Sequence, residues 1–286
     1  MELGIDSFAS NNIDSAVIKP VSNQQAMADL LQRIEHADAC GLDVFGVGEH
    51  HRKEFLDAAP SVILAAAASR TKHIRLTSAV AVLSAADPVR LFQQYATLDL
   101  ISGGRAEMVV GRGSFSEAFP LFGLDFNDYD DIFTEKLDLL LNIRNDDVVT
   151  WQGKFRPALY EQSVYPRPVQ DPLPIWVGVG GTPESAIRAG SRGLPLMIAI
   201  IGGETRRFKR LVDTYYQAGE EAGYLKDQLK VGIHSLGYLA DDGDQARDEF
   251  FPGYAEVFTK IGKERGWSSV TRSHYDSQVD TYGALL

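Results

Sequence analysis

The sequence predicts an α/β fold built on a parallel β-sheet, and three observations carry that expectation. Short runs rich in Val, Ile and Leu alternate with amphipathic stretches along most of the chain. Several of these runs are almost continuously apolar, as parallel strands buried on both faces are. The stretches between them are long enough for crossover helices. The right-handed crossover rule then leaves two architectures, an open doubly wound sheet or a closed (β/α)8 barrel. A length of 286 residues allows one large domain over 1–286.

The elements follow in order. Leu3–Phe8 is the first strand candidate. Ser22 to Cys40 reads as a helix, with Met27, Leu30, Leu31, Ile34 and Ala37 on one face. Ser22 and Gln25 suit a capping box, and Gly41 stands where the helix must stop. Leu42–Val47 and Ile74–Val82 are the second and third strands. Asp87 and Pro88 open a helix through Phe92, Tyr95, Leu98 and Ile101, and Gly103-Gly104 ends it. Ala106–Val110 is the fourth strand, and Ile132 to Ile143 the next helix.

Between Asn142 and Pro174 no helix is predicted. Five prolines and Trp151-Gln152-Gly153-Lys154-Phe155 read there as a hairpin plus an irregular lid, an insertion over about 144–173 before the fifth strand. Pro174–Val179, Leu194–Ile201 and Lys230–Leu239 are strands five to seven. Helices are expected from Thr182 to Arg192, Thr205 to Ala222 and Gln245 to Lys263. A barrel needs an eighth strand, and none follows before Gly283-Ala284-Leu285-Leu286. The expectation is that a C-terminal strand–helix unit lies outside this sequence or that a partner covers the gap.

Composition removes several function classes. Twenty-eight Lys and Arg stand against 39 Asp and Glu, a formal charge of −11. That balance opposes non-specific binding to nucleic acid or anionic membranes. The single cysteine, Cys40, forms no internal disulfide. The uncharged stretches Ala58–Ser69 and Pro172–Pro183 are too short to span a membrane. The start carries Glu2 and Asp6 and does not read as a secretory signal, so a cytoplasmic location is expected. The histidines show no metal-ligand spacing, and no metal is expected.

Four segments carry candidate chemistry. Gly48-Glu49-His50-His51 follows the second strand, where a barrel would build its active site. A histidine there suits proton transfer, and it equally suits structural hydrogen bonds at a strand end. Gly111-Arg112-Gly113-Ser114 ends the fourth strand in a Gly-rich turn. Its Arg112 offers a planar fork to a phosphate, or simply an ion pair to a carboxylate. Gly178-Val179-Gly180-Gly181-Thr182-Pro183-Glu184-Ser185 joins a strand to a helix start, which suits an anion site or simply a capped helix start. It matches neither a dinucleotide fingerprint nor a P-loop. Thr77-Ser78-Ala79-Val80 is a run of mostly small residues that reads first as a barrel strand, against which a planar ring would also fit.

Together these segments resemble the bacterial luciferase-like family of flavin-dependent monooxygenases. The carriers are Gly48-Glu49-His50-His51, the run Thr77–Leu83 followed by Asp87-Pro88-Val89-Arg90, and Leu100-Ile101-Ser102-Gly103-Gly104-Arg105. Further carriers are Gly111-Arg112-Gly113, the run Pro174–Ser185 and the run Leu194–Ala199. Their order and spacing make the resemblance specific over nearly the whole chain.

The resemblance implies a (β/α)8 TIM barrel with an insertion before strand 5. It implies FMN, used reduced, with electrons from a flavin reductase or directly from NAD(P)H. The implied reaction is oxidation of a small organic substrate by dioxygen through a flavin hydroperoxide, and a homodimer is the implied assembly. His50 matches the family's reactive histidine, which assists proton transfer at the oxygen adduct. Ala79 and Val80 fall where the family often has a non-prolyl cis bond against the ring. Arg112, Gly180, Gly181, Thr182 and Ser185 fall at the flavin phosphate. Gly111 replaces a luciferase cysteine, and Gly180-Gly181 replaces its acidic-hydroxyl pair, so light emission and a long-chain aldehyde are not implied. A deazaflavin-dependent dehydrogenase and a non-catalytic flavin-binding subunit are the alternatives within the same family.

Overall fold

The computed structural model describes residues 1–11, 21–113, 115–201, 205–264, 266 and 268–282. The expectations placed on Ser114 and on 283–286 lie outside the described residues. The chain divides into two compact units, the first made of Met1–Asn11 and Val21–Gly178, the second of the described residues from Val179 onward.

In the first unit β1 (Gly4–Ser7), α1 (Asn23–Ala39), β2 (Val44–Val47), α2 (Pro60–Ala68) and β3 (Arg75–Ser78) alternate as expected for crossover units. β1 pairs with β2 and β2 with β3, all parallel. Ser22 Oγ accepts the Gln25 N–H, but the Gln25 side chain turns to Asp29 instead of back to the cap, so the capping box is half formed. Gly41 follows the helix with φ +78°, a conformation that favours glycine. The expected third strand is broken: β4 (Ala81–Val82) resumes after a cis Ala79–Val80 peptide. α2 was not expected at all.

α3 (Pro88–Ser102) starts with Asp87 accepting the Arg90 N–H and ends at Gly103 in the left-handed region, as expected. β5 (Met108–Gly111) runs parallel between β4 and β8 (Ile175–Val179), and Leu76 bridges Ala106 beside it. Between them lie α4 (Ala118–Leu121), α5 (Tyr129–Asn145) and a hairpin of β6 (Val148–Trp151) with β7 (Leu159–Ser163). The core collects the inward positions of these elements, among them Leu30, Phe45, Leu64, Leu76, Phe92, Met108, Phe133 and Val177, all nearly inaccessible.

Two ions, Asp99 fully buried and Arg105 half-buried, hold this unit together. Asp99 is fully buried in α3 and accepts four hydrogen bonds, from Ala106 N and Gln170 Nε2 on one oxygen and from Val169 N and Gln170 N on the other. Arg105 turns its guanidinium onto protein oxygens. It donates to Ser102 O, Ile74 O, Ala68 O, Thr71 O and Thr71 Oγ1, around the end of α2. Carbonyls at a helix C-terminus favour a cation.

Lys136 on α5 is 6 % exposed and donates to Ser84 O at 2.7 Å. Burial pulls its ammonium pKa down to about 8, against the pull of Asp87 and Glu135. Between pH 8 and the ordinary lysine range the unfolded chain therefore binds more protons than the folded one, and stability rises with pH. From pH 8 to 9.5 we expect a gain of about 1–2 kcal/mol from this group. The urea midpoint should rise for the wild type and lose that rise in Lys136→Met. Equal pH slopes for the two proteins would contradict this.

The second unit contains α6 (Pro183–Ser191), β9 (Leu196–Ile200), α7 (Lys209–Glu221), β10 (Val231–Ser235), α8 (Gly243–Glu264) and α9 (Arg272–Tyr282). β9 and β10 are parallel, from Leu196 opposite Val231 to Ile200 opposite Ser235. The expected helix from Thr205 divides into a 3-10 turn at Thr205–Phe208 and α7. α6 and α7 pack closely enough that a Cβ on Gly190 would strike the Tyr215 carbonyl. Tyr215, fully buried, reaches the carbonyls of Leu194 and Lys230 ahead of the two strands.

The fold is therefore α/β with parallel strands and crossover helices. Neither unit by itself closes into an eight-stranded ring among the described residues. No helix among them is long and apolar enough to cross a membrane.

Candidate active site

The site of the first unit gathers at the carboxyl ends of β2, β3 and β5. β2 runs into Gly48-Glu49-His50-His51, and each of the three polar side chains has a different task. Glu49 accepts the Val82 N–H at 2.9 Å and sits 3.1 Å from His51 Nε2, so it ties the end of β2 to the start of β4. His51 also meets the Phe122 ring edge-on. These two residues follow the structural alternative that the sequence left open.

His50 differs. Its Nδ1 lies 2.9 Å from Asp57 Oδ2, and its backbone N–H donates to Asp57 Oδ1 at 3.1 Å. Phe55 stacks on the imidazole at 4.3 Å between ring centres, and Phe8 and Phe115 pack at 4.8 and 5.6 Å. Nε2 has no hydrogen-bond partner among the described residues. Asp57 is fully buried, and burial raises its carboxyl pKa while the His50 hydrogen bond opposes the rise.

Asp57 is the residue that sequence reasoning missed. It lies seven residues past His50, in the loop that returns to the mouth of β1, where Leu56 N donates to Ala9 O and Asn11 N to Glu54 O. The available signal was an acidic residue in an otherwise apolar stretch just before the proline that starts α2.

Ala79 and Val80 lie beside this group. The Ala79–Val80 bond is cis, as the resemblance implied. Ser78 Oγ donates to Val109 O and accepts from Val109 N, which stitches β3 to β5. The Val80 side chain sits over two glycines: a Cβ on Gly111 or on Gly178 would come within 2.7 Å of its methyls. Both positions need glycine for this close approach.

Arg112 follows Gly111. Its Nη1 donates to Tyr129 OH and to Asp130 Oδ1, each at 2.9 Å, and the guanidinium lies 4.9 Å over the Tyr129 ring. The ion pair with a carboxylate, one of the two sequence alternatives, is formed. A cavity of about 10 Å³ lies among Glu49, His50, His51, Phe115 and Glu117, enough for one water. Arg52 pairs with Glu117 and lies over the Phe115 ring.

Gly180, Gly181, Thr182 and Ser185 belong to the second unit, at the start of α6. Thr182 is the N-cap, though its side chain makes no capping bond. Nothing lies within 4 Å of a Cβ built on Gly180 or Gly181, so the turn is open above both. Ser185 is 2 % exposed, and its Oγ is buried without a hydrogen-bond partner. An open glycine turn, a helix N-terminus and an orphaned hydroxyl fit a bound phosphate. Among the described residues no group of three or more His, Cys, Asp and Glu is placed to hold a metal.

The first unit is thus a parallel α/β scaffold with a His50–Asp57 pair at its strand ends, and the second carries an open glycine turn at the start of α6. The chain belongs to the luciferase-like monooxygenase family, whose profile matches residues 4–285. It is 30% identical to the oxygenase component of flavin-dependent trigonelline monooxygenase from Acinetobacter baylyi, over 79% of this chain and 64% of that protein. It is 29% identical to N-acetyl-S-alkylcysteine monooxygenase from Bacillus subtilis, over 71% of this chain and 62% of that protein. Its fold is similar to that of monooxygenase RslO1 from Streptomyces bottropensis, with a TM-score of 0.79 at 25% identity, covering 98% of this chain and 88% of that one. The chain spans between 54% and 64% of the length of the curated relatives it matches.

Proposed function

We propose that this chain is an FMN-dependent monooxygenase of the luciferase-like family, acting on a small organic substrate. The observation that carries the reading is His50, held by Asp57 among aromatic rings at the end of β2. When bound, reduced FMN supplies two electrons to dioxygen, one oxygen atom going to the substrate and the other leaving as water. His50 Nε2 takes and returns a proton at the reacting atoms. Phe8, Phe55 and Phe115 exclude water around it. Ala79 and Val80 present a flat backbone to the flavin ring. By the family resemblance, Arg112 of the first unit is assigned to the flavin phosphate; in the second unit, taken by itself, Gly180, Gly181, Thr182 and Ser185 offer amide and hydroxyl donors to a phosphate.

The same proposal includes a (β/α)8 TIM-barrel type of fold, the insertion over about 144–173 as a lid, a homodimer and a cytoplasmic location. It also includes a separate flavin reductase, or NAD(P)H directly, as the electron source. Anaerobic titration with FMN, reduction, and admission of isotopically labelled dioxygen with a panel of candidate substrates tests it. Label in the product supports it. Label absent from every product, with binding and hydride transfer only to a deazaflavin, would replace it with the dehydrogenase alternative.

The phosphate residues carry their own expectation. Arg112→Ala should raise the FMN dissociation constant roughly ten- to a hundredfold, the worth of a hydrogen bond between charged groups. Ser185→Ala should raise it by less, with an unchanged melting temperature because Ser185 Oγ has no partner to lose. Fluorescence quenching of FMN measures both. An unchanged constant in Arg112→Ala would leave that residue only its anchoring of Tyr129 and Asp130.

A further inference from the structure

We infer that Asp57 is the positioning residue of His50, and that its two oxygens fix the ring so that the lone pair stays on Nε2. The inference rests on the reading of His50 as the proton-transfer group. Three observations carry it.

Both oxygens of a fully buried carboxylate end on the same residue, Oδ1 at the His50 backbone N–H and Oδ2 at Nδ1. A backbone N–H only donates, so Oδ1 must accept, and the ring angle is set by a two-point hold. An ionised Oδ2 also only accepts, so the neutral imidazole carries its proton on Nδ1.

The loop does not need this carboxylate to stay in place. Its neighbours are already pinned by Asn11 N to Glu54 O, by Leu56 N to Ala9 O and by the Ser10–Phe55 bridge. The carboxylate's hydrogen bonds are thus directed at His50.

The surroundings keep clear for the contact. A Cβ on Gly48 would stand 2.7 Å from Asp57 Oδ2, 2.7 Å from Phe8 Cδ1 and 3.0 Å from His50 Cε1. Glycine at 48 makes the approach of Asp57 to His50 possible. Phe8 and Phe55 then flank the ring and limit its turning.

When Nε2 accepts a proton, the ring becomes an imidazolium 2.9 Å from the Asp57 carboxylate, which stabilises the new charge. Loss of that proton to the product or to water restores the starting pair.

The isosteric variant Asp57→Asn turns this into an experiment. The His50 backbone N–H still demands the amide oxygen, so the amide NH2 faces Nδ1 and donates to it. The imidazole proton must then sit on Nε2. The ring stays where it was, and the lone pair moves to the wrong nitrogen. A side chain that only fills space would not produce this reversal.

The test uses the FMN-loaded protein with isotope-labelled histidine ring nitrogens, read by NMR at a pH where His50 is neutral. The expected result is Nδ1–H in the wild type and Nε2–H in Asp57→Asn. The melting temperature and FMN affinity should be nearly retained. Formation of labelled product from the substrate that the labelled-dioxygen panel identifies should fall on the order of 10³-fold or more. An Nε2–H tautomer in the wild type overturns the inference without any variant, so a failure of Asp57→Asn to fold leaves it testable. A reversed tautomer with undiminished product formation also overturns it. Undiminished product formation in His50→Ala would instead remove the underlying reading of His50, while the wild-type spectrum would still decide what Asp57 does to the ring.

Discussion

Replacing His50 by alanine is expected to cut turnover by about 10²–10⁴-fold while the protein still binds FMN, the usual contribution of a positioned acid–base group. The size follows from the absence of a substitute. His51 is engaged with Glu49 and packed against Phe122. Both oxygens of Glu49 are engaged, one by the Val82 N–H and one by His51. No other imidazole lines the small cavity beside Phe115.

The variant will also be less stable, for a separate reason. Asp57 Oδ2 loses its partner while remaining buried, and the rings of Phe8, Phe55 and Phe115 face a hole. Breaking one side of a buried pair costs about 3–5 kcal/mol. Turnover must therefore be measured well below the variant's melting temperature, with FMN binding as the check that the fold is present. His50→Gln offers a second check, because it retains a donor near Asp57 and has no basic nitrogen. Turnover within a factor of two of wild type in both variants would exclude His50 from the chemistry.

Asp99→Ala should have the largest effect on stability, about 3–5 kcal/mol, because it removes the acceptor of four hydrogen bonds at once. Ala106 N, Val169 N and Gln170 N would lose this acceptor in a region where the wild-type carboxylate is fully inaccessible, and Gln170 Nε2 would keep only the Ala106 carbonyl. Those donors tie three separate segments: α3, the start of the fourth parallel strand, and the chain that returns from the hairpin. Asp99→Asn should cost nearly as much. Each carboxylate oxygen accepts two N–H groups, and an amide would set its own NH2 against one such pair. Guanidinium unfolding would show the loss as a lower midpoint at an unchanged slope. A loss below about 1 kcal/mol in Asp99→Ala would mean that water replaces the carboxylate, against its burial.

Much of the fold was legible because its signals are local. Asp87 and Pro88 at a helix start, Gly41 and Gly103 at helix stops, and apolar runs at the strands each act within a few residues. What stayed hidden lacked a local signal. α2 is Pro-Ser-Val-Ile-Leu-Ala-Ala-Ala-Ala, apolar on nearly every face, so it shows no helical period. The third strand read as one run from Ile74 to Val82, and nothing in its hydropathy marks the interruption at Ala79–Val80. α9 has a polar composition and no apolar stripe that would announce it.

The candidate site divides along the same line. The sequence by itself determined which residue types stand at the strand ends: a His-His pair after β2, small residues at β3, Gly-Arg after β5 and glycines before α6. Periodicity and turn chemistry place them there before any tertiary contact forms. Only the tertiary structure decided what each side chain does. It assigned Asp57 to His50, Glu49 to the Val82 backbone, Arg105 to the carbonyls around the end of α2, and Arg112 to Tyr129 and Asp130. These partners lie 7, 33, 37 and 17 to 18 residues apart. A side chain with several free donors or acceptors carries no record of which returning loop will meet it, and that choice is made by the closure of the chain.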